Sequence, residues 1–358
     1  MRALYLFSGI RGGLLEKAKR GEDPGDGTWG MIRLSRFGVS AEHLELEQFL
    51  PASVARFLRH RVLGNYGAHL PFFLNFFRYD VVFTAGAFYS QLLFIFSRLI
   101  FRFKKPLWVM HDFSVNGFLG EGKTLRQKIF RFLVSHADGI VTVGREEAEK
   151  LRQKFPRLKE SIAYIPFGVD TTFFKPQDGS TVSNRILSVG IDPDRDWETL
   201  YKACDGLEVS VVVATRQRGE KEVKPPTFVE RRFFSLKELI QQYGEAEIVV
   251  IPLDPSTGIN DAMGCTALFE AMAMGKAIVA TDTHTMRSYV RNGENGILVP
   301  PKDVGALREA IGVLLRSEEK RIQLGMSARA YAEEHLNAEK LAGELARYFK
   351  GLGAKILP

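Results

Sequence analysis

Hydrophobic residues in this chain recur in short unbroken runs separated by longer amphipathic stretches, and that alternation sets the expected architecture. Runs such as Ala3 to Phe7, Asp80 to Phe83, Leu107 to Met110 and Gly139 to Val143 have strand length and little polar alternation, as strands buried on both faces do. Between them, Lys123 to Ser135 and Arg145 to Lys154 carry helical periodicity. The second half restarts the pattern, with strands at Arg185 to Val189, Glu208 to Val213, Thr227 to Phe233 and Ile248 to Leu253, and helices at Trp197 to Cys204 and Leu236 to Tyr243. A helix from Val304 to Leu315 and a long helical stretch from Glu318 to Lys350 close the chain. Two such alternations predict an α/β protein with two Rossmann-like domains facing each other across a cleft. The polar run Lys175 to Asn184 marks the boundary, giving domains at 1–170 and 171–339, with the helix at 340–358 expected to return to the first.

The stretch Gly264 to Asp282, GCTALFEAMAMGKAIVATD, follows the strand Ile248 to Leu253 and reads as loop, helix, Gly275 stop and strand. A parallel β-α-β unit turns the free amides at the helix start, around Gly264, Cys265 and Thr266, toward the ligand side of the sheet, where they favour an anion. Glu270 lies among Leu268, Phe269, Ala271, Met272 and Met274 on a helix apolar nearly all round. A carboxylate there needs hydrogen-bond donors, and a ribose diol supplies two. A salt bridge within the core is the other reading.

Elsewhere, Gly9, Gly12 and Gly13 form a loop after the first strand that suits close approach to a ligand. His111 ends a predicted strand, facing the ligand crevice or satisfied within the core. Gly190 opens a loop in which Asp192-Pro193-Asp194 could hold a divalent cation or Arg195 could grip phosphate. Arg216 and Arg218 fall at the edge of the same crevice. Residues 54 to 103 interleave phenylalanines from Phe57 to Phe103 with Arg56, Arg61, Arg78, Arg98 and Arg102. That composition belongs either to a doubly wound core with solvated arginines or to an interfacial membrane surface.

The chain of 358 residues has a net charge of +7, is 45% hydrophobic and 25% charged, and so is globular with an anionic partner expected. Cys204 and Cys265 are too few for a disulfide framework or a thiolate metal site, which points to a reducing compartment. The first residues are too short for a signal-peptide core, and Ala85 to Phe103 is interrupted by Arg98 and Arg102, against a spanning helix.

Several segments together resemble the GT-B glycosyltransferases of family 4, the large retaining family. They are His111-Asp112, ADGIVTVGREEAEKL at 137–151, YIPFGVDTTFFKP at 164–176, ILSVG at 186–190 with RDWETL at 195–200, FEAMAMGKAIVATD at 269–282 and YVRNGENGILVPPKD at 289–303. The resemblance implies a hexose-type sugar moved from a nucleotide diphosphate sugar to a glycan or lipid-linked hydroxyl. It implies retention and no metal or other cofactor, with the leaving phosphate taking the acceptor's proton. By it Glu270 holds the ribose, Arg195 the diphosphate, and His111 meets the donor sugar. Ala262 stands where the family has a first glutamate, and Ile191 where it has an arginine, which moves weight to Arg216 and to the helix amides. A cytoplasmic protein is expected, peripheral to an anionic inner membrane face and with no nucleic-acid partner. The alternative is a peripheral membrane or nucleic-acid-binding protein on a catalytically decayed scaffold.

Overall fold

The structure is a computed structural model and describes residues 1–84, 87–112, 115–177, 182–191, 194–216, 223–257 and 262–356. It divides into two compact units, Met1–Gly168 with Ala338–Pro358, and Val169–Asn337. The boundary expected from sequence was 170/171.

The first unit carries strands β1 Arg2–Leu6, β2 Ser40–His43, β3 Val81–Thr84, β4 Leu107–Asp112, β5 Gly139–Thr142 and β6 Ile162–Tyr164. Its helices are α1 Gly12–Lys19, α2 Ala52–Phe57, α3 Gly64–Gly67, α4 Phe88–Phe101, α5 Val115–Leu119, α6 Leu125–Ser135 and α7 Arg145–Lys154. The strands form one parallel sheet in the order β2-β1-β3-β4-β5-β6. The runs VVFT and GIVT are buried at every residue, because helices cover both faces of the sheet. Thr124 and Gln127 form a capping box that starts α6 two residues later than the pattern predicts.

In the second unit, β7 Arg185–Val189, β8 Ser210–Ala214, β9 Val229–Arg232, β10 Ile248–Ile251, β11 Ala277–Thr281 and β12 Ile297–Val299 alternate with α8 Trp197–Cys204, α9 Leu236–Glu245, α10 Cys265–Ala273, α11 His284–Arg287, α12 Val304–Arg316 and α13 Glu318–His335. Their order is β12-β11-β10-β7-β8-β9, again all parallel. The strand order reverses between β7 and β10, and ligands of open parallel sheets sit beyond the carboxyl ends of such a pair.

The helix read from Glu318 to Lys350 is two helices. The chain breaks after α13 at Leu336-Asn337, where the Val169 amide donates to the Leu336 carbonyl (2.8 Å) and Asn337 Nδ2 to Thr171 Oγ1 (3.0 Å). It resumes as α14 Ala338–Ile356, whose Leu341, Leu345, Phe349 and Leu352 are buried in the core of the first unit with Tyr5, Phe83 and Val109.

The phenylalanines of residues 54–103 divide into a buried and an exposed set. Phe72, Phe76, Phe83 and Phe94 are core residues, whereas Phe57, Phe77, Phe96 and Phe101 are exposed.

Candidate active site

A cavity of about 320 Å³ opens at the carboxyl ends of β7, β8 and β10, wholly within the second unit. Its wall includes Gly190 and Ile191 after β7, Thr215 and Arg216 after β8, Arg195, Phe233, and Ala262, Gly264, Thr266 and Glu270 of the α10 region.

Arg195 is held there by backbone rather than by its own flexibility. Its neighbours pin the loop: the Asp254 amide donates to the Asp194 carbonyl (2.8 Å) and the Asp196 amide to the Pro252 carbonyl (3.1 Å). Asp196 then caps α8, accepting from the Thr199 amide at 3.0 Å and the Thr199 hydroxyl at 2.7 Å. Arg195 is 7% exposed, and its guanidinium lies directly over Gly190, where a Cβ would sit 2.2 Å from Nε and 2.4 Å from Cζ. Gly190 therefore serves the site by making room for Arg195. Ile191, at the position where the resemblance leads one to expect an arginine, is 70% exposed on the cavity rim.

The start of α10 is shaped by packing. Gly264 is the N-cap with φ 79°, and a Cβ there would lie 3.0 to 3.2 Å from Met286, Ile251 and Leu253. Only glycine adopts that conformation cheaply against those neighbours. Thr266 is exposed to the cavity. Cys265 is not in its wall: the side chain is fully buried and its amide turns back to the Ala262 carbonyl at 3.2 Å. The anion-facing role read for residues 264–266 thus rests on Thr266 and the first-turn amides behind it.

Glu270 points one turn further along the same wall. Burial pushes its carboxyl up to about 7, a rise moderated by the Tyr243 hydroxyl and by the charge of Arg195. Tyr243, itself fully buried, donates to Oε2 at 2.9 Å and lies 3.4 Å from the Ala267 carbonyl. Tyr243 was read only as a helix end in the sequence. A buried tyrosine needs a partner for its hydroxyl, and that is the signal that pairs it with a buried carboxylate.

Arg216 is exposed and its guanidinium stacks 3.7 Å from the centre of the Phe233 ring. Phe233, also outside the sequence reading as a site residue, gives Arg216 its fixed direction on the cavity edge. Arg218 and Asp192 lie outside the described residues, and no group of three or more metal-ligating side chains occurs among the described ones.

The remaining candidates belong to the first unit. His111, on β4, is 4% exposed, stacked on Trp29 (4.9 Å between ring centres) and edge-on to Phe83 (5.4 Å). Burial drives its imidazole down to about 3, so the ring is neutral at physiological pH. At the start of α1, the amides of Arg11 and Gly12 donate to the two carboxylate oxygens of Glu45, at 2.8 and 2.9 Å. Glu45 thereby fills the helix end that the loop of Gly12 and Gly13 was expected to offer a ligand. A Cβ at Gly12 would meet Glu45 Oε1 at 2.6 Å, whereas Gly13 faces open space.

Comparison with known proteins follows the same division. Residues 39–173 match the family described as Glycosyltransferase Family 4, and residues 195–317 that described as Glycosyl transferases group 1. The chain is similar to D-inositol 3-phosphate glycosyltransferase of Nocardia farcinica, 24% identical over 62% of this chain and 54% of that protein. It is also similar to MMP alpha-(1->4)-mannosyltransferase of Mycolicibacterium hassiacum, 27% identical over 61% of this chain and 55% of that one. The chain thus spans about half the length of the curated relatives it matches. Among solved structures, Anabaena Alr3699/HepE in complex with UDP superposes with a TM-score of 0.70 at 15% identity, over 98% of this chain and 100% of that one.

Two parallel six-stranded sheets with a cavity at the switch point of the second define a GT-B protein. Within that class, the chain belongs to glycosyltransferase family 4.

Proposed function

We propose that the protein transfers a hexose-type sugar from a nucleotide diphosphate sugar to a hydroxyl acceptor, with retention of configuration and without a metal. The observation that carries this reading is the convergence of Glu270, Arg195 and the start of α10 on one cavity.

A carboxylate accepts about four hydrogen bonds. Tyr243 takes one on Oε2, which leaves acceptor capacity for a ribose diol. As the bond from sugar to phosphate breaks, negative charge grows on the diphosphate. Fixed donors in a water-poor cavity then lower the barrier more than a base would. Arg195 is buried, held over Gly190 and charged, so it supplies such a donor without reorganising. The first-turn amides of α10 add partial positive charge, and Arg216 stands at the edge where Ile191 cannot contribute. In this mechanism the departing phosphate takes the acceptor's proton on the face it leaves, so no nucleophilic carboxylate is required. His111 enters through the family resemblance, as a neutral imidazole able to hydrogen-bond a sugar hydroxyl.

The UDP complex of the Anabaena protein and the glycosyltransferase names of the relatives support a nucleotide-sugar donor. The acceptor is a glycan or a lipid-linked hydroxyl. Thermal stabilisation by UDP, GDP, ADP, TDP and CMP, each with and without magnesium, tests the donor. A ligand at a hundredfold its Kd adds about 2.7 kcal/mol. One diphosphate is expected to stabilise the wild type without metal and to have no effect on Glu270→Ala. If none stabilises the folded protein, the reading fails. Anomeric configuration of the product by NMR tests retention.

A further inference from the structure

α4 and α6 are amphipathic twice over. On α4, Ser90, Gln91, Phe94 and Ile95 are buried, while Tyr89, Leu93, Phe96 and Ile100 are exposed by 42 to 71%. Those four stand at spacings of four, three and four, which places them in one line along the helix. On α6, Phe130, Leu133 and Val134 face the core, and Leu125 and Ile129, one turn apart, are 74% and 44% exposed. The two lines lie side by side, since Phe96 approaches Phe132 with ring centres 6.4 Å apart. Leu99 and Phe101, 58% and 75% exposed, widen the patch at the end of α4.

The charge around this surface is net positive. Between Asp80 and Asp138 the chain has eight Lys and Arg against four carboxylates, and Lys105 and Lys123 are paired with Asp80 and Glu121. Neither helix contains an acidic residue. Arg98 is bound to Asp138, yet Arg102, Lys104 and Lys128 make no ion pair among the described residues. Arg102 follows the last turn of α4 with φ 53°, so the chain turns off the helix immediately beside the patch.

We infer that the α4–α6 face lies on an anionic phospholipid surface, the exposed apolar lines entering the acyl boundary and Arg102, Lys104 and Lys128 meeting the headgroups. Scattered exposed apolar residues are ordinary, but aligned ones in a cationic frame have the composition of an interfacial helix. A second copy docked through this face would oppose like charges. Nucleic acid would meet the cations and gain nothing from Leu93, Ile100, Leu125 and Ile129. No described helix is long and apolar enough to cross a membrane, so the contact is with the surface. The inference uses no part of the nucleotide cavity, which belongs to the other unit.

Co-sedimentation with phosphatidylcholine vesicles, with and without phosphatidylglycerol, tests it. The protein is expected to bind the anionic vesicles at low salt. Replacing Arg102, Lys104 and Lys128 by Gln lowers the partition coefficient about a hundredfold, at roughly fivefold per cation. Replacing Leu93, Phe96 and Ile100 by Gln lowers it by roughly tenfold or more. Absence of wild-type binding at low salt overturns the inference. So does undiminished binding of the Leu93, Phe96 and Ile100 variant, which reduces the contact to adsorption of charge. A dimer in sedimentation velocity that the same variant abolishes assigns the face to a second copy instead. Thermal stabilisation by the nucleoside diphosphate, measured on both variants, is expected to stay at the wild-type value. It confirms folding and separates failure here from failure of the donor reading.

Discussion

The Tyr243 hydroxyl sits 2.9 Å from Glu270 Oε2 and is the side-chain donor that makes a carboxylate tolerable in the wall of an apolar helix. Tyr243→Phe keeps the ring and removes the donor, so the fold is retained while Glu270 becomes harder to ionise. A hydrogen bond to a charged group contributes about 1.5–3 kcal/mol. Nucleoside diphosphate affinity at neutral pH is expected to fall about tenfold in calorimetry, with much of the loss recovered at higher pH. Unchanged affinity would remove Tyr243 from the site.

The pH dependence of Glu270 has a definite sign. Its folded value near 7 lies above its ordinary value of 4.5, so the folded state holds a proton that the unfolded chain releases across that interval. Stability from this group is complete below about 4.5 and declines as pH rises through about 7, by about 3 kcal/mol in all. Denaturation midpoints of wild type and Glu270→Gln, followed from pH 5 to 8, should diverge with the wild type losing ground. Ligand binding runs the other way, because ribose hydroxyls donate to the ionised form. Affinity for the nucleoside, which carries no titrating phosphate, should rise with pH and level off above about 7, whereas Glu270→Gln gives a flat profile.

Gly190→Ala places a methyl where the Arg195 guanidinium lies. Displacing that cation removes a charge-assisted contact of about 1.5–3 kcal/mol, so affinity for the diphosphate should drop by about ten- to a hundredfold. The matching nucleoside, without phosphates, should bind both proteins alike. An equal loss for nucleoside and diphosphate would mean that Arg195 does not serve the phosphates.

Gly325 on α13 touches the end of α10, with its notional Cβ 2.2 Å from the Gly275 carbonyl oxygen. Backbone cannot swing aside as a side chain does, and overpacking of this kind costs about 1–3 kcal/mol. Urea denaturation of Gly325→Ala should show a lower midpoint with an unchanged slope. Met326→Ala, at a 70% exposed neighbour, should differ from wild type by no more than about 0.5 kcal/mol.

Much of the second unit was legible in its sequence because its signals are local. β7 and α8 run over the residues read for them, Arg185–Val189 and Trp197–Cys204, the helix fixed by Asp196 as its cap. Glu270 stood out because a charge inside an apolar run demands a partner, and Arg195 because its guanidinium matches phosphate in a loop that follows a strand. What supports them did not. Tyr243 reaches Glu270 across 27 positions, and Phe233 orients Arg216 from a neighbouring strand end, so neither contact leaves a spacing to read. The room that Gly190 makes for Arg195 was hidden for the same reason, since no glycine pattern says which group it admits. Glu45 at the α1 terminus is another long-range pairing that turned an expected ligand site into a capped helix. Composition could not sort the aromatic and basic segment, because a period of 3.6 sends Phe94 into the core and Phe96 outward two positions later.

α10 is gripped at both extremities. Gly264 wedges its beginning among Ile251, Leu253 and Met286, and beyond its last turn the Gly275 and Lys276 amides close onto the carbonyls of Met272 and Ala271, with Gly325 of α13 pressed against the Gly275 carbonyl. A helix clamped this way has little freedom left to surrender to the anion proposed for its first turn. Its dipole is oriented once, during folding, and the entropy of holding those amides in line is absent from every later encounter with a ligand.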